Sequence, residues 1–412
     1  MKLRKMIQTA VLGGALLGMV GAANATDYEI NIYGASAQLL YWTSAAEGFL
    51  KTTGTGNPGC TSVTNHVNTA GTDGISFCTN SSGNTYTIRY SSKNSLDGIR
   101  AVQSNDDGGV GSAKGCSAGS RWMMSAYNAS TSAESYACED ITIGASDVEA
   151  ATFRQATTGH QYGPYTGGTN TSKTFTASGV TISTSSYTKY SPLVVPFAFF
   201  ANEGVPFDNM TRLMAVTLFA GQVSDWNQFD PTLSSVPVVL CMRHAGSGTL
   251  ATLDAAVMRG DAALIDTENS ASPNYVWFND GSSYMMGCIN GSTTTTSGYS
   301  SWTGAAGAVG YADSDQLSTT SAQTKYPDVK LMTYQGVDAT KANIVNGQYD
   351  FWSYQELYEA KADDTATKSL VSKLMSYASN PDNLPSSKAD YWAAGDEMFV
   401  GKYSDFEYPA FN

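Results

Sequence analysis

Short apolar runs alternate along this chain with polar, glycine-rich stretches and with segments of helical period. Residues 28–33 alternate in hydrophobicity and end at Gly34-Ala35-Ser36-Ala37-Gln38, which predicts a strand running into a glycine turn. Residues 39–50 then read as a helix. Residues 86–90 predict a short strand, and Ser95-Leu96-Asp97-Gly98-Ile99-Arg100 opens a helix. Residues 141–143 predict another strand, followed by Gly144-Ala145-Ser146-Asp147 and a helix through Phe153. The apolar run 193–201 predicts a central strand, and 212–220 a helix ending at Gly221. A buried strand over 236–242 precedes a helix over 250–258, where Leu250, Leu253, Ala256 and Val257 recur at helical spacing. Residues 308–311 and 329–333 predict short strands, and 370–378 and 388–399 late helices. Residues 52–84 and 104–138 read as polar surface excursions, 156–188 as loop or hairpin, and 259–300 as mixed and loop-rich. Strands alternate with helices throughout, which indicates an α/β class.

The first residues stand apart from this pattern. Lys2, Arg4 and Lys5 form a basic start, residues 10–20 are apolar, and Ala23-Asn24-Ala25 is a small-residue cleavage site. This is the layout of a secretory signal peptide over residues 1–25. Its apolar stretch is too short to span a bilayer, so no direct membrane insertion is expected. The expected product is periplasmic or extracellular, cleaved near Ala25.

Charge and cysteine usage agree with export. The chain has 23 Lys and Arg against 36 Asp and Glu, a formal net charge of −13. The leader removes basic residues only, so the mature part is more acidic still. Such a chain lacks the electrostatic footprint of a nucleic-acid binder, and no nucleic acid is expected as partner. It would also repel a free anion at long range, so an anion must be captured by short-range donors. Six cysteines lie beyond the leader: Cys60, Cys78, Cys116, Cys138, Cys241 and Cys288. An even count in an exported chain favours disulfides, and proximity favours Cys60–Cys78, Cys116–Cys138 and Cys241–Cys288 among the many possible pairings. No CxxC or CxxCH occurs, which excludes a thioredoxin-type motif, c-type haem attachment and a usual zinc site. No cofactor and no metal are expected, and His66, His160 and His244 read as solvated residues.

The candidate chemistry centres on Arg243-His244-Ala245-Gly246-Ser247-Gly248-Thr249. A strand delivers an arginine, glycines allow a tight turn, and a helix opens with Ser and Thr. The first amides of a helix have no internal partner, and the helix dipole makes that end positive. Small residues there let an anion reach the backbone. The arginine fork matches two oxygens of a tetrahedral oxyanion. Ser95, Asp147 and Ser247 each follow a strand-to-helix turn, a repeated device suited to a cleft between α/β lobes. Ser247 lacks the flanking glycines of a nucleophile elbow, and no Walker lysine follows a glycine loop, so no enzymatic activity is expected.

In their order along the chain, several motifs resemble the type II periplasmic binding proteins, most of all the phosphate-binding component of ABC-type phosphate uptake systems. They are Gly34-Ala35-Ser36-Ala37, Asn94-Ser95-Leu96-Asp97-Gly98, Gly144-Ala145-Ser146-Asp147, the 219–227 helix end, Arg243 to Thr249, Gly307-Ala308-Val309-Gly310-Tyr311 and Asn346-Gly347-Gln348-Tyr349. The resemblance implies a two-lobed α/β fold with a hinge and an interlobe ligand cleft. It places lobe 1 at 26–196 and 350–412, with Cys-bearing insertions at 52–84 and 104–138, and lobe 2 at 197–349. The implied ligand is inorganic phosphate or a related oxyanion, handed to a membrane ABC permease. The implied ligand-binding residues are Ser36, Ala37 and Gln38; Ser95; Asp147; and Arg243 with Ser247, Gly248 and Thr249. Asp147 can accept a proton from phosphate that sulfate lacks at neutral pH. The pattern departs from the family at Ala245, where an Asp that braces the arginine is usual, and at Gln38-Leu39, where Thr-Phe is usual. These departures and the long insertions leave open a non-transport structural or adhesive extracellular protein on the same fold.

Overall fold

The computed structural model describes residues 25–103, 115–164, 170–177, 180–183, 185–271, 275–291, 304–360 and 364–412. The leader up to residue 24 and residues 104–114 and 292–300 of the predicted polar stretches lie outside them.

Two α/β halves share one sheet. The first is built from β1 (Asp27–Gly34), α1 (Leu39–Leu50), a hairpin of β2 (Thr64–Val67) and β3 (Asp73–Thr79), β4 (Thr85–Ser92) and α2 (Ser95–Val102). A second hairpin, β5 (Ser120–Asn128) and β6 (Ala133–Asp140), precedes β7 (Ile143–Ser146), and a third joins β8 (Ala156–His160) to β9 (Ser172–Thr176). The long β10 (Tyr187–Asn202) then crosses to the second half. That half holds β11 (Asn209–Met210), α3 (Arg212–Phe219), β12 (Val239–Arg243), α4 (Gly248–Thr252), β13 (Tyr275–Asn279), α5 (Ser282–Asn290) and β14 (Ala308–Asp313). β15 (Val329–Leu331) follows as an extra partner of β10, and β16 (Thr333–Tyr334) pairs with β11. The chain returns along β17 (Trp352–Ala360) before its last long helix, Thr365–Ser379.

The sheet order is β13-β12-β14-β10-β17-β7-β1-β4-β3-β2. β1 is parallel to β4 and β7, and β12 is parallel to β13 and β14. β10 and β17 join the halves as an antiparallel pair, and β10 changes partner part-way. Its register runs with β17 through Pro196↔Trp352 and with β14 from Phe197↔Asp313 onward. β7 ends at Ser146, opposite Glu356, while β14 ends at Asp313, opposite Phe197, and the two strands point towards each other. Residues 193–196 of β10 and 352–355 of β17 therefore floor the gap between the two sets of strand ends. Four residues at ~3.3 Å each make this gap roughly 13 Å long.

One apolar core runs through both halves, from Trp42 and Phe49 to Phe199, Trp226 and Trp352. Three disulfides are present. Cys60–Cys78 pins the loop after α1 to β3, Cys116–Cys138 closes the base of the β5–β6 hairpin, and Cys241–Cys288 ties β12 to α5. The C-terminal segment fastens the halves from outside. Asp405 accepts from the Glu149 amide (2.9 Å) and the Thr152 hydroxyl (2.6 Å). The Lys402 ammonium donates to the carbonyls of Asp350 (2.8 Å) and Trp352 (2.6 Å), and Arg259 of the second half donates to the Phe406 carbonyl (2.8 Å). Among the described residues no helix is long and apolar enough to cross a membrane.

Some expectations change. No α-helix follows Asp147; only a single turn, Ala150–Thr152, forms there. The Ser146 hydroxyl both donates to the Val148 carbonyl (2.6 Å) and accepts from the Val148 amide (3.3 Å), and Asp405 takes the Glu149 amide. Such local side-chain bonds compete with helix formation. Residues 388–399 are not helical either. Trp392 is buried, Ala393–Ala394 pairs with β10, and Gly395–Glu397 makes a short turn. The polar excursions carry hairpins rather than loops alone, and the loop-rich 259–300 contains β13 and α5.

Candidate functional site

The strand ends of the two halves meet over the floor of β10 and β17. On the first-half side, α2 lies directly on the ends of β1 and β7. That approach depends on Gly98: a Cβ there would sit 2.3 Å from the Ala145 carbonyl oxygen and 2.7 Å from that of Tyr33. The Asn94 side chain caps α2 by accepting from the Asp97 amide (2.8 Å). Ser95, the first residue of α2, is thereby brought onto Asp147. The Ser95 hydroxyl donates to Asp147 Oδ2 (3.1 Å) and accepts from the Asp147 amide (3.1 Å).

From the second half, β12 delivers Arg243, and the 244–247 turn delivers the start of α4. Leu96 of α2 donates its amide to the Gly246 carbonyl (3.1 Å), so the two turns are joined directly. Gly248 packs against the first half without a side chain between. A Cβ at Gly248 would lie 2.3 Å from Ser95 Oγ and 2.5 Å from the Asp147 Cβ. Ser247 takes the capping position of α4, but its hydroxyl caps nothing. Ser95, Asp147, Arg243, Ser247 and Thr249 are all buried.

The Arg243 guanidinium is braced where the sequence lacks the expected Asp. It donates to the carbonyls of Asn279 (3.2 Å) and Asp280 (3.2 Å) and to the Ser282 hydroxyl (3.1 Å). Its backbone amide donates to the Tyr311 hydroxyl (3.1 Å). Three of the five N–H groups of the fork are engaged this way, which leaves two outside these bonds. The turn itself is held from the β8 hairpin, because the Ala245 amide donates to the Thr157 hydroxyl (2.8 Å). His244, expected in solvent, is buried against Phe175 and Phe278. Burial pushes its pKa down to about 4, so it is neutral at pH 7.

The 36–38 turn sits beside this junction and is differently occupied. The Gln38 amide donates to the Ser146 carbonyl (3.2 Å), and its oxygen accepts from the Trp42 indole (2.8 Å). Gln38 therefore ties the first turn to the third with both ends of its side chain. Ala37 is buried, Ser36 is half-buried, and no side chain caps this turn.

The junction holds two buried carboxylates, Asp147 and Asp313. Burial raises the Asp147 pKa to about 7, with the Asp313 carboxylate adding to the rise and Ser95, Arg243 and Gln355 opposing it. Burial, with Asp315 adding, raises Asp313 to about 6, against the pull of Lys388 and Arg243. Several buried polar atoms here have no hydrogen-bond partner within the protein. They are Asp147 Oδ1, the Ser247 hydroxyl, Asp313 Oδ1, the hydroxyls of Ser314 and Ser353, and both ends of the Gln355 amide. Buried polar groups are otherwise almost always paired, since each unpaired one costs about 1–3 kcal/mol. Sequence reasoning missed Asn279, Ser282, Asp313, Ser314, Ser353 and Gln355. Asn279 and Asp313 end strands, Ser353 and Gln355 lie within an ordinary strand pattern, Ser282 and Ser314 open helical turns, and only the sheet order brings them to this place.

Residues 23–381 match the PBP superfamily domain. Among solved structures, the chain is similar to a Clostridium perfringens protein assigned as a phosphate ABC transporter substrate-binding protein, solved with phosphate bound. The two share 13% identity over 86% of this chain and 94% of that one, with a TM-score of 0.46. It is also similar to an ABC-type phosphate transport receptor from Vibrio cholerae, at 14% identity over 84% and 93% of the two chains and a TM-score of 0.43. With most of its length covered by the domain match, this chain belongs to the PBP superfamily.

Proposed function

We propose that this protein is an exported solute-binding protein that captures a protonated oxyanion, phosphate first, at the junction of its two halves. The observation that carries the reading is the set of buried, unpartnered polar atoms where turns from both halves meet, with Ser247 and Asp147 at its centre. Asp147 Oδ1 accepts a P–OH proton, while the Ser247 hydroxyl and the first amides of α4 donate to the unprotonated oxygens. The two remaining N–H groups of Arg243 supply a charge-assisted pair. Sulfate has no proton for Asp147 at neutral pH, and the two acceptors would repel each other.

In the form described, Gly248 touches Ser95 and Asp147, so a ligand enters only when the halves separate. The hinge, on this reading, bends at the partner change of β10 at 196–197 and at the return of the chain before β17, with lobe boundaries at 196/197 and 349/350. On this reading the leader directs the chain to the periplasm or cell exterior, and a membrane ABC permease receives the ligand. Ser36 and Ala37 contribute backbone amides, whereas Gln38 acts as a strut.

A second reading, an adhesive or structural role, is favoured by one observation: in the form described, Gly248 packs so closely on Ser95 and Asp147 that no further group fits between them. Mass spectrometry of the purified mature protein under non-denaturing conditions separates the two. Co-purified phosphate supports capture. A ligand-free protein that gains no mass with millimolar phosphate supports the structural role.

A further inference from the structure

The unpartnered polar atoms extend well beyond the reach of one inorganic anion. Antiparallel partners point to the same face, and residues two apart along a strand share a face. Leu193, Val195 and Phe197 of β10 pair with Gln355, Ser353 and Asp313 in turn. These three polar side chains therefore line one face of the floor, and Ser314 follows Asp313. All are buried, with Gln355 0% and Asp313 7% exposed. Gln355 lies close enough to Asp147 to favour its charged form, so it marks the near end of the row. Ser353 is two residues further along, ~6.6 Å at strand rise, and Asp313 lies on the next strand pair. Oxygens of one phosphate are separated by far less.

Resting on the proposed oxyanion site, we propose a second subsite over Gln355, Ser353 and Asp313 that accepts a hydrogen-bond-donating arm attached to a phosphoryl head. The ligand class is a small polar phosphomonoester or phosphonate carrying a hydroxyl or ammonium group a few bonds from phosphorus. The chemistry of the row selects the donor. Asp313 Oδ2 accepts from Gln316 (3.1 Å), but Oδ1 has no partner, and the Gln355 oxygen likewise waits for a donor. Burying such acceptors against an apolar arm would leave them unsatisfied. A hydroxyl or ammonium arm satisfies them, and an ammonium also offsets the second buried carboxylate. Arg243 reaches both Asp147 and Asp313 electrostatically, and Lys388, itself ion-paired to Asp315, reaches Asp313 as well.

The test is calorimetric titration of the full mature chain with inorganic phosphate, ethyl phosphate, glycerol 3-phosphate and 2-aminoethylphosphonate. The subsite predicts that at least one donor-bearing ligand binds ten-fold or more tighter than ethyl phosphate. In Asp313→Asn that ratio falls to within about three-fold, and in Ser353→Ala, which keeps the charge, it falls in the same direction by less. Hydroxyl and ammonium arms are separated by which of the two loses more in Asp313→Asn. If inorganic phosphate binds but donor-bearing ligands have no advantage over ethyl phosphate, the subsite is overturned and the oxyanion site stands. An advantage that survives both substitutions also overturns it. If none of the four binds, the oxyanion site itself fails and the subsite with it.

Discussion

The two sides of the junction finish the same local device in different ways. On the first-half side, Ser95 and Asp147 bond to each other and Gln38 is occupied by Ser146 and Trp42. On the second-half side, the Ser247 hydroxyl is unpartnered, and Arg243 is braced by carbonyls of the β13–α5 turn. The first side is a preformed acceptor corner with one open oxygen, Asp147 Oδ1. The second is a donor turn whose rigidity comes from carbonyls, a hydroxyl and a disulfide rather than from the usual carboxylate beside the arginine. A braced donor turn closing on an acceptor corner is what a protonated anion requires, and the proposed selectivity resides in the corner.

The substitutions that break this contrast most strongly act on the corner. Asp147→Asn should weaken phosphate binding by about 10- to 150-fold, the loss of a charge-assisted bond of roughly 1.5–3 kcal/mol, and should narrow the preference over sulfate. Competition with sulfate reads both effects together; an unchanged preference would place selectivity elsewhere. Gly248→Ala comes next, because its methyl group collides with Ser95 and Asp147 in the closed form. Overpacking of this kind costs about 1–3 kcal/mol, seen as weaker phosphate binding and a lower melting temperature. An intact melting temperature and affinity would show that the halves do not close as described.

Arg243→Lys tests the donor turn. A lysine cannot serve the Asn279 and Asp280 carbonyls and Ser282 as a planar fork does, so a loss of about ten-fold in affinity is expected with the phosphate-to-sulfate ratio retained. A changed ratio with unchanged affinity would reverse the roles given to the two sides. A smaller effect concerns pH. Asp147 carries a folded pKa raised to about 7, so the folded state holds the proton more tightly than the unfolded chain. Its contribution favours folding at low pH and is lost as pH rises from about 4 through 7. In ligand-free protein, Asp147→Asn should therefore melt several degrees higher than the unsubstituted protein at pH 8, with the gap narrowing at pH 5 and closing only near pH 4. A gap independent of pH would contradict the burial of this carboxylate. The smallest effect on binding is expected from removing Cys116–Cys138. That disulfide closes a hairpin that gives no residue to the proposed site and meets α2 through the Arg121–Asp97 ion pair, whereas loss of Cys241–Cys288 loosens the strand that carries Arg243. Phosphate titration of the two serine double variants checks this order.

Much of the fold was legible because its main elements carry a strong period. Residues 39–50 have the bounds of α1, and 193–201 lies wholly inside β10. The turns around Ser95, Asp147 and Ser247 were legible because small residues follow apolar strands, and the structure brings all three together. The missing helix after Asp147 was not legible, since the bond from Asp405 comes from a residue far along the chain. The floor was hidden for a similar reason. Trp352-Ser353-Tyr354-Gln355 alternates like a strand with one solvent face, and only the sheet order sets that face between the ends of β7 and β14. The substitute brace of Arg243 lies in the segment read as loop-rich, although Tyr275 to Phe278 is an apolar run of strand length within it.

The most direct measurement is calorimetric titration of the mature protein with phosphate and with sulfate at pH 7, alongside Asp147→Asn. The account predicts saturable one-to-one phosphate binding, sulfate weaker by at least ten-fold, and a collapse of that ratio in the variant. Equal heats for both anions, or no heat for either with the protein folded, would contradict it.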